Sequence, residues 1–350
     1  MGHRRVSPPR DEGRLPRRAL LALPLLAACG GLPPKPAAPS AAPMPLHLEP
    51  LADLVKAPSL VWMLELSPKV AFADDTLLAG VHRVVSDERF RRFAAENGGV
   101  DPRSLAELVI ARYPDATLTL GRGTIDPAAL ERAFTRRATR IDGRAIDVAS
   151  PPVVRLFGDG AKERVQMCTF GREAFALEEG RFGPLRVAAA YAEGKLKKAK
   201  PALRAEPLAR AVGLLGEGSV ARFFASGPFE GEWSAALGGL LRAATGVAVG
   251  ARTTRHPAAK GGLVVTAVVL GEYGHAQEDA ARRLGATLDV LLAKNPFGRM
   301  LGLHEPLEAP RVDPVPGGLS VVATFDTDRA AKGLHAVLDA EIDEIVGSLR

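Results

Sequence analysis

Cysteine is nearly absent from this sequence, and its scarcity limits how the fold can be stabilised. Only Cys29 and Cys168 occur among the 350 residues. Two distant thiols cannot build a structural metal site with several thiolate ligands, and they provide no disulfide framework. Stability must therefore come from a hydrophobic interior. With 47% hydrophobic residues, a chain of this length can bury one or two cores.

Aromatic residues and evenly distributed positive charge are also scarce. Aromatic residues make up 5% of the chain, which leaves few rings to stack on nucleic-acid bases. The formal net charge of +6 is carried largely by residues 1–28, which contain six arginines and two acidic residues. Without that segment the net charge is +2, so the sequence argues against a nucleic-acid partner.

Motifs that specify a reaction or a cofactor are missing from the sequence. It contains no G-x-S-x-G nucleophile elbow and no G-x-x-x-x-G-K-[ST] phosphate loop. The histidines of the body are never four residues apart, the spacing that lets two of them share a metal on one helix face. They are His82, His256, His275, His304 and His335. We therefore expect no metal, no cofactor and no catalytic residue, and a non-enzymatic role is favoured.

A hydrolase whose residues converge only in three dimensions is the less favoured alternative. Ser219, His275 and Asp326 are residue types that such an enzyme uses. Nothing in their spacing assigns them to catalysis, so they are not predicted as site residues.

The clearest signal in the sequence is the stretch RRALLALPLLAACGG, from Arg17 to Gly31. Its apolar run, Ala19 to Ala28, would form a helix of about 15 Å, half of a hydrocarbon core of roughly 30 Å. Pro24 also interrupts the run. An arginine-rich leader, a short apolar run and then small residues are typical of a secretory signal peptide.

The end of this stretch, Leu26-Ala27-Ala28-Cys29, resembles the lipobox of bacterial lipoproteins. The resemblance implies cleavage between Ala28 and Cys29 and attachment of lipid to the Cys29 thiol. Two or three acyl chains would hold the protein on a membrane, which is the first expected partner. Gly30 stands where an aspartate favours the inner membrane in Gram-negative lipoproteins. The resemblance therefore places the protein in the cell envelope, on the periplasmic face of the outer membrane. An ordinary signal peptide with a chance cysteine is the alternative.

Proline and charge divide the chain further. Seven prolines between Gly30 and Pro50 exclude a helix and favour an extended tether that reaches about 60 Å. A basic, proline-containing stretch, Gly194 to Pro207, marks a second boundary. The sequence thus predicts four segments: 1–28, the signal peptide; 29–50, the lipidated cysteine and tether; 51–200, a first α+β unit; and 201–350, a second α+β unit.

The body alternates strand and helix patterns, which predicts an α+β fold. Asp126 and Pro127 mark the start of a helix whose apolar face contains Leu130, Ala133 and Phe134. Two longer helices are predicted for residues 275–294 and 327–349, the second capped by Asp326 or Thr327.

The two units are expected to be similar halves of mixed or antiparallel sheet, each with helices packed on one face. Strand starts near Leu60 and Thr117 are 57 residues apart, and those near Leu263 and Leu319 are 56 apart. This similar spacing raises the hypothesis of an internal duplication.

Two functions fit these expectations. The first is a membrane-anchored binding or scaffold module with an envelope protein as partner. The second is a carrier for a lipid or other apolar ligand, lined by Leu288, Leu291, Ile342 and Ile345 if these residues are not plain core. Three basic runs could contact anionic lipid, but an ordinary solvated helix surface is the favoured explanation. They are Arg89–Arg92, Arg136–Arg140 and Lys195–Lys198.

Overall fold

The computed structural model describes residues 45–48, 50–181, 183–196, 198–231, 234, 236–290, 292 and 303–337. The predicted signal peptide, its cleavage site after Ala28, the lipidation site Cys29 and the tether up to residue 44 lie outside these residues. Within the described ranges, no helix combines the length and the apolar character needed to cross a bilayer.

In the part of the chain that the structure describes, twelve strands form one sheet in which every pair of neighbours is antiparallel. The strands are β1 (Trp62–Leu66), β2 (Glu107–Tyr113), β3 (Ala116–Arg122), β4 (Arg140–Asp147), β5 (Val153–Asp159), β6 (Arg164–Phe170), β7 (Ala174–Gly180), β8 (Ala221–Ser226), β9 (Ala244–His256), β10 (Ala259–Gly271), β11 (Arg311–Val315) and β12 (Gly318–Asp326).

The α-helices of the described residues lie between these strands, except the last, which follows β12. They are α1 (Pro68–Ala73), α2 (Asp75–Val84), α3 (Asp87–Glu96), α4 (Pro127–Arg137), α5 (Pro184–Ala192), α6 (Leu208–Leu215), α7 (Gln277–Asp289) and α8 (Thr327–Val337). The α+β class expected from the sequence is therefore confirmed, and the sheet is antiparallel throughout.

The strand order is β11-β12-β10-β9-β8-β1-β2-β3-β7-β6-β5-β4. β1 pairs with β8, with Met63 opposite Phe224, so the sheet runs without a break across residue 200. Outward from this central pair, each side continues with a hairpin, β2-β3 or β9-β10. Next to that hairpin lies the strand that comes last in the sequence of that half, β7 on one side and β12 on the other. In this arrangement β1 and β3 correspond to β8 and β10. The 57- and 56-residue spacings instead compare β1 and β3 with β10 and β12.

The start of α4 illustrates how local sequence sets an element. Asp126 accepts hydrogen bonds from the backbone N–H of Ala128 and Ala129 at 3.0 and 3.3 Å, and Pro127 occupies the first helical turn. The helix buries Leu130 and Phe134 on one face. The predicted cap and apolar face are both confirmed, because they depend only on contacts within the first turns of the helix.

Helices cover both faces of the sheet, where the sequence predicted one. The first core lies beneath α5 and α6 and includes Met63, Leu118, Phe170, Leu185, Leu208 and Phe224. The second core lies beneath α3 and α4 and includes Phe90, Phe93, Leu130, Phe134, Leu156 and Met167. Neighbouring residues of a strand point to opposite faces, and Met167 and Cys168 of β6 enter different cores. β6 is buried on both faces after its first residue, because helices cover it from both sides.

The predicted C-terminal helices are present as far as the structure describes them. α7 follows a short 3₁₀ turn that contains His275, and its Leu284 is buried in a third core with Leu319. α8 begins at Thr327, and Asp326 accepts a hydrogen bond from the backbone N–H of Arg329 at 2.8 Å. The cap expected at Asp326 is thus confirmed. The continuation of this helix to residue 349 lies outside the described residues.

Candidate functional site

An apolar pocket lies between α3, α4 and the face of the sheet that carries the second core. Its lining includes Phe93, Leu105, Leu130, Phe134, Met167 and Leu177. The free volume inside is about 60 Å³. An engineered apolar cavity that binds benzene measures roughly 150 Å³, so this pocket admits a smaller group, such as the end of a hydrocarbon chain.

The apolar helix faces around the pocket come from regular spacings in the sequence. Phe90 and Phe93 lie one turn apart on α3, and Leu130, Ala133 and Phe134 share the inner face of α4. In both helices this spacing of three to four residues places the side chains over the sheet. Every one of these five residues is buried.

The turn between α3 and the following segment depends on glycine. Gly98 has a φ of +65°, and a Cβ at this position would lie 2.6 Å from the carbonyl carbon of Ala129. Gly99 has a φ of +84°, but a Cβ there would meet no atom within 4 Å. Gly98 therefore allows the end of α3 to approach the start of α4 closely, which closes one side of the pocket.

A chain of polar contacts leads from the pocket lining to solvent. The Asn97 side-chain amide donates to the backbone carbonyl of Phe93 at 2.8 Å, and Arg137 Nη1 donates to Asn97 Oδ1 at 2.7 Å. Arg137 Nη2 also lies 3.3 Å from Glu96 Oε2, and the Glu96 side chain is 49% exposed. A guanidinium has five N–H donors, so Arg137 can contact an anionic group while it keeps these two partners.

A salt-bridge cluster contacts the first turn of α3. Arg103 donates to Asp101 at 2.7 Å and to Asp87 at 2.7 Å, and its guanidinium carbon lies 5.1 Å from the centre of the Phe90 ring. Burial acts to raise the pKa of Asp101, but the hydrogen bonds from Arg103 hold this pKa below its ordinary value. The Phe90 ring also meets the Phe72 ring edge to face, with centroids 5.3 Å apart.

Two neighbouring glutamates of β7 lie on opposite faces of the sheet, Glu178 buried and Glu179 half-buried. Glu178 accepts hydrogen bonds from Gln166 Nε2 at 2.9 Å and from the backbone N–H groups of Gly183 and Leu185, so it caps the start of α5. Burial raises the pKa of Glu178. Glu179 shares the face of Leu177, and burial, together with the nearby charge of Glu163, raises its pKa to about 7.

The residues that the sequence offered as alternatives do not assemble into a site. Asp326 pairs with Gly262 at one end of β10, whereas His275 follows the other end of β10 at Gly271. A nine-residue stretch of strand separates these ends by about 30 Å. Ser219 lies beside Gly250 of β9. The three residue types of a hydrolase are therefore not brought together.

The remaining candidates are also placed separately. Leu288 packs against the third core, away from the pocket, and Leu291, Ile342 and Ile345 lie outside the described residues. Among the residues that the structure describes, no group of three or more His, Cys, Asp or Glu side chains is arranged to hold a metal ion. Cys168 is fully buried in the first core, and this burial raises the pKa of its thiol to about 12.

The pocket was not predicted from the sequence. The spacing of the apolar residues in α3 and α4 indicated buried helix faces, but it carried no information about how completely those faces would fill the space above the sheet. The pair of glycines after Asn97 was the available signal, because consecutive glycines after a helix indicate a tight approach of backbone.

Comparisons with known proteins give little further information. No protein-family model matches this sequence, and no curated protein matches it. One solved structure, described as crystal form IV of TP0453, is similar to this chain with a TM-score of 0.43 and 9% sequence identity. The match covers 83% of this chain and 97% of that one. A likeness at this level says nothing about function.

Proposed function

We propose that this protein is a lipid-anchored lipoprotein of the bacterial envelope whose folded body binds an apolar ligand non-enzymatically. The anchor is Cys29, as the lipobox resemblance implies. The ligand inserts the end of a hydrocarbon chain between α3, α4 and the sheet. The observation that carries this proposal is the preformed apolar pocket with the polar contacts of Asn97 and Arg137 at its side.

The chemistry of the pocket favours a ligand with an acyl chain and an anionic head. Each buried methylene contributes about 0.8 kcal/mol, so the two or three that fit the present volume would contribute roughly 2 kcal/mol. A longer chain requires α3 and α4 to separate further from the sheet. The positive charge of Arg137 complements a carboxylate or phosphate at the point where the chain leaves the pocket.

Filling the pocket tests this proposal. Ala133→Leu adds three carbon atoms at a buried position of α4 that lines the pocket. We expect native mass spectrometry of the full chain, purified from membranes, to detect a bound apolar mass in the unaltered protein and to lose it in this variant. Ala281→Leu makes the same change in α7, away from the pocket, and should retain the bound mass. Retention of the bound mass in A133L would contradict the proposal.

The role of the charge is tested separately. Dodecanoate and dodecanol share a chain and differ in their head groups. Arg137→Gln should weaken the binding of dodecanoate severalfold and leave that of dodecanol unchanged, because charge-assisted hydrogen bonds are formed only with the carboxylate. Equal effects on both ligands would remove Arg137 from the proposed site.

A second candidate function is a scaffold that binds an extended segment of another envelope protein. β4 is the last strand of the sheet, and Ile141, Ile146 and the adjacent Val148 are 40%, 51% and 93% exposed. Exposed apolar residues on a sheet edge suit addition of a strand from a partner. Ile146→Lys should abolish capture of such a partner from envelope extracts, whereas Val290→Lys, at an exposed position after α7, should not.

We also propose that the two halves of the sheet arose by internal duplication. The similar order of the first four strands on either side, β1-β2-β3-β7 and β8-β9-β10-β12, supports this proposal. A chain truncated after residue 200 that folds into a stable unit would be consistent with a duplicated domain.

A further inference from the structure

A second concavity lies at the turn between β2 and β3, next to the start of α5. Its volume is about 680 Å³, which falls within the range of roughly 300–1,000 Å³ that is typical of sites for small molecules. It shares no lining residue with the apolar pocket. We call it the basic cleft, because four of the five charged residues in its described lining are basic.

Four basic residues line the basic cleft: Lys56, Arg181, Lys198 and Lys200. Among the described lining residues, Asp115 is the single acidic one, and its carboxylate lies 3.6 Å from Arg181 Nη1. The lining therefore carries a net charge of +3. Such a concentration of positive charge in a concave surface favours a ligand with more than one negative charge.

The structure places residues of the basic run Lys195–Lys198 in different surroundings. Lys195 is paired with Glu193, and hydrogen bonding to that carboxylate raises the pKa of Lys195. Lys198 instead lines the basic cleft together with Lys200. Part of this run thus lines one side of a cleft.

Hydrogen bonds between distant parts of the chain fix the walls of the basic cleft. Tyr113 donates its hydroxyl hydrogen to the backbone carbonyl of Lys56 at 3.2 Å, and Lys56 forms a backbone bridge with Pro201. The backbone N–H of Arg181 donates to the carbonyl of Asp115 at 2.8 Å. These contacts join the β2-β3 turn to both flanking segments, so the cleft exists before a ligand binds.

Apolar surface accompanies the charge. Pro58, Pro114, Pro184 and Val187 also line the basic cleft. The carbon skeleton of a ligand can pack against these residues while its charged group contacts the basic side chains. An organic anion therefore fits the lining better than an inorganic ion.

Lys56 differs from the other basic residues of the cleft because its side chain is engaged within the protein. Its side chain is buried, and its ammonium lies over the Tyr191 ring at 2.9 Å and donates to the Asp53 backbone carbonyl at 2.5 Å. Burial lowers the pKa of Lys56 to about 8, despite the opposing effect of the Asp53 charge. The Asp53 carboxylate is itself paired with Arg204. A bound anion would stabilise the charged form of Lys56.

We infer that the basic cleft binds a small organic phosphate. The phosphoryl group lies among Arg181, Lys198 and Lys200, and the organic part packs against the prolines. A phosphate monoester carries a charge of about −1.5 to −2 at neutral pH and three acceptor oxygens, which suits three basic side chains. This inference does not depend on the apolar ligand of the proposed function, because the two sites have separate linings.

The phosphate can belong to a free metabolite or to a lipid head group, and two water-soluble probes distinguish these sources. Glycerol 3-phosphate represents a free monoester, and glycerophosphoglycerol represents the diester head group of a phospholipid. Both are titrated calorimetrically into the full chain in an uncharged detergent. Tighter binding of the monoester identifies a free phosphate as the ligand class, and tighter binding of the diester identifies a lipid head group.

Matched variants locate the binding. Lys198→Gln with Lys200→Gln removes two exposed charges from the basic cleft, and we expect Kd to rise about tenfold. Lys69→Gln with Lys260→Gln removes two exposed charges elsewhere and should change Kd less than about twofold. The inference is overturned if neither probe binds, or if both double variants weaken binding equally.

Discussion

Glu179 makes the stability of this protein depend on pH in a defined direction. The side chain is half-buried on the face of the sheet that carries the second core, opposite Thr117 and Val165 on the flanking strands. Among the described residues, its Oε1 is a buried oxygen with no hydrogen-bond partner. Burial and the charge of Glu163 raise its pKa from 4.5 to about 7.

The sign of the effect follows from proton binding. Between pH 4.5 and pH 7 the folded protein binds more protons at Glu179 than the unfolded chain does, so stability falls as pH rises through this range. At 1.36 kcal/mol per pKa unit, the full difference is roughly 3.4 kcal/mol. Because the side chain is partly exposed, solvent screening reduces the expected cost to about 1–2 kcal/mol above pH 7.

Glu179→Gln removes this cost. We expect the variant to exceed the unaltered protein in free energy of unfolding by about 1–2 kcal/mol at pH 8.5 and to match it near pH 4. Urea denaturation at a series of pH values measures the difference. Glu173→Gln, at an exposed position of the same region, controls for the loss of one charge. A difference for E179Q that does not change with pH, or a loss of stability at pH 8.5, would refute this reasoning.

Substitutions at two further sites, the glycine pair after α3 and the cap of α4, test the structure around the apolar pocket. Gly98→Ala should lower the free energy of unfolding by about 2 kcal/mol or more, and Gly99→Ala by only about 1 kcal/mol, because both have positive φ but only Gly98 lies against Ala129. Equal losses in urea denaturation would show that the close approach is unimportant. Asp126→Ala should cost about 1 kcal/mol through loss of the α4 cap, and Asp126→Asn should retain most of that stability. A thermal midpoint unchanged in D126A would argue against the cap.

Features set by neighbouring residues were predictable from the sequence, and features set by distant ones were not. The start of α4 was predicted because the Asp126 side chain acts on N–H groups two and three residues away. The two-sided cover of the sheet was missed because the apolar run in β6 was not taken to face two helical layers. The pairing of β1 with β8 joins residues about 160 positions apart, such as Met63 and Phe224, and no local pattern encodes it.

The same distinction applies to the candidate sites. Arg137 belonged to a basic run in the sequence, but its contact with Asn97 spans 40 positions and depends on how α3 and α4 pack. Lys198 was likewise part of a basic run. Its place beside Arg181 and Lys56 follows from the antiparallel return of β7 and from the bridge between Lys56 and Pro201. The sequence showed that these residues are basic. It did not show which distant residues they would meet in the folded protein.

Photolabelling tests the central claim, an apolar ligand between α3 and α4, most directly. A dodecanoate with a photoreactive diazirine at the end of its chain is bound to the full chain and irradiated, and the labelled peptides are mapped by mass spectrometry. We expect labels on residues that line the pocket, such as Phe93, Leu130 and Met167, and competition by unlabelled dodecanoate. Labels confined to α7, or spread evenly over the exposed surface without competition, would contradict the account.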